Sequence, residues 1–422
     1  MTVTASERRR ALFLGSMGGG LEFYDFVIYA SFASQIGKTF FPDEAPAARL
    51  LAAFAIFAVG YLVRPIGGIL FSHFGDKHGR KAMLRVSIAG MAGATFLIAF
   101  MPGYASWGIA ATVLLVVLRM VQGLCLGGEI PGAMTLITET MPKRRGLACG
   151  FLFMIINVGM LAAQAVQWAI THLMSETAVL SYGWRIGFFV GGLVAIAGFF
   201  LRARLSESPA FAEMEAHAHK VPLAALFRDN ARAVWLGLFI TGLGAATVPL
   251  LYLYMNSYLT DFLKYDPDQV ATAVLIGIVL FSLPMPVAGL ISDFVGIKVP
   301  AFIASLILAV AAIPAYVWMH QGVSELLPAM IVISLIAAFA WGVGPVLLTA
   351  IFPTDVRYTG VAFVYNIGFA IVGGLTPLTA TFIIQQTGFM LAPGFLLALF
   401  AGLATVAIFL SNVLPSGKTA RD

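Results

Sequence analysis

Residues 51–100 read LAAFAIFAVGYLVRPIGGILFSHFGDKHGRKAMLRVSIAGMAGATFLIAF. Two apolar runs, 47–72 and 82–101, flank one short polar loop, Gly75-Asp76-Lys77-His78-Gly79-Arg80-Lys81. Each run supplies the roughly 20 residues with which a helix crosses the hydrocarbon core of a bilayer. The loop is too short for a domain of its own and carries Lys77, Arg80 and Lys81, the kind of charge that marks a cytoplasmic connection. A membrane hairpin is therefore the unit to look for elsewhere in the chain.

The pattern recurs. Further apolar runs lie at about 11–36, 107–138, 147–172 and 184–203, and six more follow at about 231–260, 269–291, 299–319, 325–350, 359–386 and 389–413. The expected fold is an all-α polytopic membrane protein of twelve transmembrane helices in two pseudo-symmetric six-helix bundles. The longest polar stretch divides it into an N-terminal bundle (1–203), a cytoplasmic central loop (204–230) and a C-terminal bundle (231–422). The first run follows Arg8, Arg9 and Arg10, as a signal peptide would. At about 26 residues it is too long for a signal h-region, and it contains Glu22 and Asp25, so it reads as a retained helix.

Composition agrees. Of 422 residues, 60% are hydrophobic and 11% charged, against about 25% charged in a soluble domain. Cys125 and Cys149 are too few for a disulfide framework and sit in apolar runs, where a thiol acts as a small hydrophobe. The net charge of +5 does not form the clustered face that nucleic acid requires. It reports orientation instead. With a cytoplasmic N-terminus, 19 of the 25 Lys and Arg fall in the tails, the central loop and the even-numbered loops. Only Lys38, Arg49, Arg185 and Lys264 fall outside, and Arg64 and Arg119 lie within spans. Both termini are thus expected in the cytoplasm, and a bacterial inner membrane is the expected location.

A weak internal repeat supports two halves. Asp76, Gly79 and Lys81 match Asp293, Gly296 and Lys298 at equal offsets, and Pro142…Arg145-Gly146 is echoed by Pro353…Arg357…Gly360. Such duplication is expected of one large group of secondary transporters. The loop Asp76-Lys77-x-Gly79-Arg80-Lys81 resembles the signature loop of the major facilitator superfamily. Leu21-Glu22-Phe23-Tyr24-Asp25-Phe26, Arg64-Pro65-Ile66-Gly67-Gly68, Leu118-Arg119-Met120-Val121-Gln122-Gly123, Gly127-Gly128-Glu129, Phe352-Pro353-Thr354 and Gly373-Gly374-Leu375-Thr376-Pro377 resemble its metabolite:proton symporter branch. That branch carries citrate, other di- and tricarboxylates, proline and betaines. The resemblance implies that the loop latches the two halves on the cytoplasmic side through Asp76, Lys77, Gly79, Arg80 and Lys81, with Glu139 and Arg145 as partners. The second-half loop has Phe294 and Ile297 where the pattern has basic residues, so no strong latch is expected there. Osmosensing members of the proline/betaine branch carry a C-terminal coiled coil. This chain stops about nine residues after the twelfth run, so osmosensing is not expected.

Charge inside a membrane is costly and marks function by default. Five such residues stand out, all in the first half: Glu22, Asp25, Arg64, Arg119 and Glu129. Arg119, near mid-depth, is the first candidate for a substrate carboxylate because its planar fork binds one bidentately. The alternative is an internal pair with Glu22, Asp25 or Glu129. Glu22 and Asp25, one helical turn apart, are the proton-coupling candidates, since two neighbouring carboxylates in low dielectric do not both ionise cheaply. Glu129 is a third, or a static partner of Arg64 or Arg119, and Arg64 is read as a charge-pairing residue. The second half offers Tyr252, Tyr254, Asn256, Tyr258, Trp341, Tyr365 and Asn366. An aromatic cage of this kind suits a quaternary ammonium. Tyr254, Trp341, Tyr365, Asn366 and the amide Gln122 are candidate substrate contacts. Gln164 and Asn157 serve either substrate or helix association.

No Walker loop, His-Glu-x-x-His or Gly-x-Ser-x-Gly occurs, so no enzymatic activity, metal or cofactor is expected. The expected function is proton-coupled import of a small carboxylate-bearing metabolite by alternating access, in a monomer embedded in lipid. Arg119, with no opposing acid in the second half, favours an organic acid such as citrate or a dicarboxylate. Phe352-Pro353-Thr354 and the stretch around Tyr254 favour the alternative, a proline or betaine zwitterion. A non-transporting receptor or passive facilitator is the reading from another class.

Overall fold

The computed structural model describes residues 19–20, 23–70, 80–127, 129–205, 223–354, 356–411 and 413. Among them, ten helices are long and apolar enough to cross a membrane, and Val86–Phe100 is a shorter apolar helix. With the first helix, twelve rods follow in chain order. In the first half these are α1 (from residue 23, then Ala33–Phe40 after a turn at Phe32), α2 (Pro46–Leu62, continuing over 64–70) and α3 (Arg80–Phe100). They continue as α4 (Ile109–Cys125 and Glu129–Thr140), α5 (Arg145–Leu173) and α6 (Trp184–Leu205). The second half holds α7 (Leu223–Val248, prolonged to Phe262), α8 (Pro267–Ser282 and Met285–Val295), α9 (Lys298–Met319), α10 (Val323–Gly342 and Gly344–Ala350), α11 (Arg357–Gly368 and Gly374–Thr387) and α12 (Ala392–Leu410).

Helix is the form these segments must take, because a spanning chain has no water for its backbone and must bond to itself. The rods outrun the apolar runs around the central segment: α6 continues to Leu205, and α7 begins at Leu223. A kink at Asn230 (φ −131°) interrupts α7 just after Arg228 and Asp229. Starts are marked chemically. Pro occupies the first turn of α2, α8 and α12, where its missing N–H costs nothing. Asp266 caps α8 by accepting from Asp268 N and Gln269 N.

Within the first half α3 packs on α6 and α4, and α2 on α4; within the second, α9 packs on α10 and α12, and α7 on α11 and α12. The halves meet where α5 runs along both segments of α8, where α2 crosses α11, and where the end of α4 touches α10 and α11. Two approaches demand glycine. At Gly123 of α4 a side chain would overlap the backbone of α2 at Gly60, and at Gly146 and Gly289 the backbones of α5 and α8 touch, so that a side chain on either would overlap backbone. Small residues at such crossings substitute packing for the hydrophobic drive that lipid does not supply.

The rods bend near the meeting of the halves. Pro249 opens a π turn, Pro249–Leu253, in α7, where Tyr254 N donates to Pro249 O at 2.8 Å. A second π turn, Phe369–Gly373, joins the two parts of α11. Such turns add one residue to a helical ring and recur at functional positions.

Candidate functional site

The buried charge forms one tight cluster inside the first half. Asp25 of α1 and Arg119 of α4 are 2% and 0% exposed. Asp25 Oδ2 accepts from Arg119 Nη1 at 2.7 Å, and Oδ1 accepts from Gln122 Nε2 at 2.7 Å and Thr95 Oγ1 at 2.8 Å. Arg119 Nη1 also donates to Gln122 Oε1 at 2.8 Å. The guanidinium carbon lies 4.8 Å from the Phe26 ring centroid and 4.4 Å from that of Tyr29. Arg119 Nε and Nη2 have no hydrogen-bond partner; ring faces and the bare backbone at Gly60 cover them. Three donors on the carboxylate offset the large cost of removing the pair from water. Every one of these contacts to Arg119 comes from the first six helices.

Arg64 is placed differently. It is 1% exposed, and its guanidinium lies 5.5 Å from the Tyr61 ring and 6.0 Å from the Phe369 ring of α11, so it reaches across the halves. Around it runs an aromatic band. Phe26 meets Tyr61 at 4.1 Å, Tyr365 meets Phe369 at 4.5 Å, Phe369 meets Trp341 at 6.3 Å, and Trp341 stands edge-on to Phe153 of α5 at 5.8 Å. Asn366 Nδ2 donates to Gly127 O of α4 at 2.6 Å. Tyr254 packs edge-on against Phe54 of α2 at 5.2 Å, and its hydroxyl accepts from Thr381 Oγ1 at 3.1 Å.

Contacts bridge the halves near both membrane faces. We call the face that charge counting assigns to the cytoplasm the inner one. On the outer side Asn256 Nδ2 donates to Ser31 Oγ at 3.2 Å and Gln164 Oε1 at 3.3 Å, and Trp168 Nε1 donates to Thr272 Oγ1 at 2.9 Å. On the inner side Arg357 Nη1 meets Glu139 Oε1 at 3.5 Å, and Arg357 Nε donates to Thr349 O at 2.9 Å. Asp293 accepts from Gly146 N at 2.8 Å and Leu147 N at 2.9 Å. The expectation of no strong second-half latch is thereby corrected. A carboxylate facing the first amides of α5 needs no basic neighbour, since the unsatisfied N–H groups and the helix dipole supply the attraction.

The sequence-derived candidates therefore separate into groups. Asp25, Arg119 and Gln122 come together, and Trp341 and Tyr365 join the band that Arg64 approaches. Asn366 ties α11 to α4, and Tyr254 stands nearer the outer face. Arg145 begins α5, with Nε donating to Pro142 O at 3.2 Å. Glu22, Asp76, Lys77 and Gly79 lie outside the described residues, as do the side chains of Glu129, Arg80 and Lys81. Thr95, Tyr61, Phe153 and Phe369 were not singled out from sequence. Tyr61 and Phe369 carried a usable signal: they stand three before Arg64 and four after Tyr365, on the same helix faces.

With the geometry in view, the chain can be compared with known proteins. The family model of the Major Facilitator Superfamily matches residues 15–377. The chain belongs to the Major Facilitator Superfamily. It is 34% identical over 412 residues to the proline/betaine transporter of Escherichia coli (strain K12), covering 93% of this chain and 81% of that one. It is 35% identical over 423 residues to the inner membrane metabolite transport protein YhjE of the same organism, covering 96% and 94%. The ectoine/proline transporter of Corynebacterium glutamicum is 34% identical, over 93% of this chain and 81% of that one. Among solved structures, a D-xylose-proton symporter superposes with a TM-score of 0.74 at 17% identity, covering 97% and 99% of the two chains. The chain is thus a multi-pass membrane transporter of the twelve-helix fold. The organic-acid expectation draws no support from these relatives, whereas the zwitterion alternative agrees with the names they carry.

Proposed function

We propose that this protein imports a small zwitterion of the proline or betaine type together with protons, by alternating access between its two halves. The observation that carries this reading is Arg64, a cation placed among Tyr61 and Phe369 at the meeting of the halves. Its guanidinium is suited to hold the substrate carboxylate. The ring faces of Tyr61, Tyr365, Phe369 and Trp341 are suited to hold the ammonium by cation–π attraction, which needs no hydrogen-bond donor and so accepts a quaternary nitrogen. A dicarboxylate finds no second cation among the contacts described for this band.

Asp25 and Arg119 are assigned to proton coupling. A proton on Asp25 cancels the charge that holds Arg119 Nη1, while Gln122 and Thr95 remain to bond the neutral carboxyl. The ion pair would then slacken, and α1 and α4 could shift against each other. A neutral zwitterion entering with one proton carries one net charge, which a 100 mV inward-negative potential favours by about 2.3 kcal/mol. The relatives' names and the bridging contacts at both faces support the same reading.

The test is uptake into proteoliposomes under an imposed proton gradient, comparing proline, glycine betaine, ectoine, citrate and succinate. Accumulation of one of the first three above equilibrium, abolished by a protonophore, is expected. Preferential accumulation of citrate or succinate would restore the organic-acid reading. Equilibration without accumulation would make the protein a passive facilitator.

A further inference from the structure

The outer end of α7 is a π turn, Tyr258–Phe262, that carries Asp261. Asp261 Oδ1 lies 3.2 Å from Ser34 Oγ of α1, a bond between the halves. Oδ2 is buried and has no hydrogen-bond partner, and among the described residues no cation pairs with the carboxylate. Lys264, three residues on, bonds the backbone: its Nζ donates to the backbone carbonyl of Asp261 at 2.6 Å. That position is held by a left-handed backbone, φ 59°, unique among the described non-glycine residues. Strain of this sort persists only where surrounding structure enforces it, and it concentrates at functional positions.

The charged and titratable groups that face Asp261 are Lys38 from α1, Lys264 from its own turn, and Tyr254 two turns deeper. The acids at the start of α8 are engaged elsewhere: Asp266 caps its helix, and Asp268 faces His172 at 3.6 Å. Asp261 is thus partly dehydrated with one neutral hydrogen bond. Loss of water pushes its carboxyl above the ordinary carboxylate range, while the Ser34 bond and the fields of Lys38 and Lys264 pull it down.

We propose that Asp261 is a second proton-binding site, at the outer face, which takes up a proton as α7 closes against Ser34 of α1 and releases it when the two part. This rests on the alternating-access reading above. Protonation on Oδ1 keeps the contact, since the new hydroxyl donates to Ser34 Oγ over the same distance. Oδ2 becomes a neutral carbonyl oxygen, whose burial costs far less than that of a charge. The sign follows from linkage. The closed face binds the proton more tightly than the open one. Acid outside therefore favours closure, fully below the open-state pKa, and the effect fades as pH rises through the higher closed-state value. Asp25 is not involved, so external acid would act on the outer face before the buried pair is reached.

The experiment places nitroxide labels at Glu44→Cys and Gln321→Cys, exposed positions on the outer side of each half. Cys125 and Cys149 are buried and stay in place. Distances are read by electron–electron resonance in nanodiscs as pH falls. We expect the ratio of short to long separations to rise severalfold as pH falls and then to level off. Asp261→Asn should hold the short separation at every pH. Ser34→Ala, which removes only the bond between the halves, should lower the short population in acid. A wild-type titration retained in Asp261→Asn, or an unaltered one in Ser34→Ala, overturns the proposal. If the labels stay fixed even with proline or betaine present, alternating access itself fails, and this proposal with it. An uptake assay that shows none of the five substrates accumulating would remove the substrate assignment while leaving the titration intact.

Discussion

Two arginines illustrate what a residue can and cannot disclose. Both Arg64 and Arg119 were visible as charges in apolar runs, and their rarity pointed to them at once. Depth along a helix says nothing of azimuth, however. Arg119 is turned into its own bundle and clamped by Asp25, whereas Arg64 reaches a ring of the second half. Thr95 was illegible because a threonine in a membrane helix ordinarily bonds to its own backbone. The two sites call for different readouts. Arg119→Ala leaves Asp25 buried without its counter-ion, a loss of about 3–5 kcal/mol. Thermal unfolding should fall accordingly, and adding Asp25→Asn should recover part of the loss. Equal melting of the single and double variants would deny the pair a structural role. Arg64→Ala should raise the KM for betaine or proline about ten- to a hundredfold. That matches the roughly 1.5–3 kcal/mol of a hydrogen bond to a charged group. An unchanged KM would remove Arg64 from the substrate site.

At the level of elements, hydropathy located the runs well because burial in lipid tolerates little else over about 20 residues. The interior breaks were harder. Pro249 and Pro284 hint at them, but the π turn Phe369–Gly373 contains no proline, and a one-residue change in hydrogen-bond partner leaves composition untouched. The meeting of α5 and α8 makes a sharp element-scale prediction. Gly146 and Gly289 let these backbones touch, and Cys149, three residues after Gly146, is fully buried beside them. Gly289→Val should pry the helices apart and lower transport at least tenfold. It should also make Cys149 reactive toward N-ethylmaleimide, where the parent protein is inert. A variant with normal uptake and an inert thiol would show that the crossing is not used in closure.

At the scale of the whole molecule, the repeated loop and the polar centre mark a division into halves in the sequence. The relative arrangement of the halves was not legible there. Latching in the second half looked weak from its missing basic residues, yet Asp293 is bonded to two amides of α5. Pattern matching compares side chains, and here one partner has none. Asp293→Asn should weaken the inner contact by about 0.3–1 kcal/mol, the usual strength of a charge at a helix end. The inner face should then open more often, read as a two- to fivefold gain in labelling of a cysteine placed at Gly146's neighbour Leu147; no gain would make the contact incidental. The clasp has an evolutionary corollary. The crossing already fixes Gly146 as glycine, and α5 presents the same amide at 147 whatever residue stands there, short of proline, so Asp293 is the side of the clasp most open to substitution. Drift in α5 can thus reshape the first half without unfastening it from the second, while the exposed Glu139–Arg357 pair must change in concert or be lost.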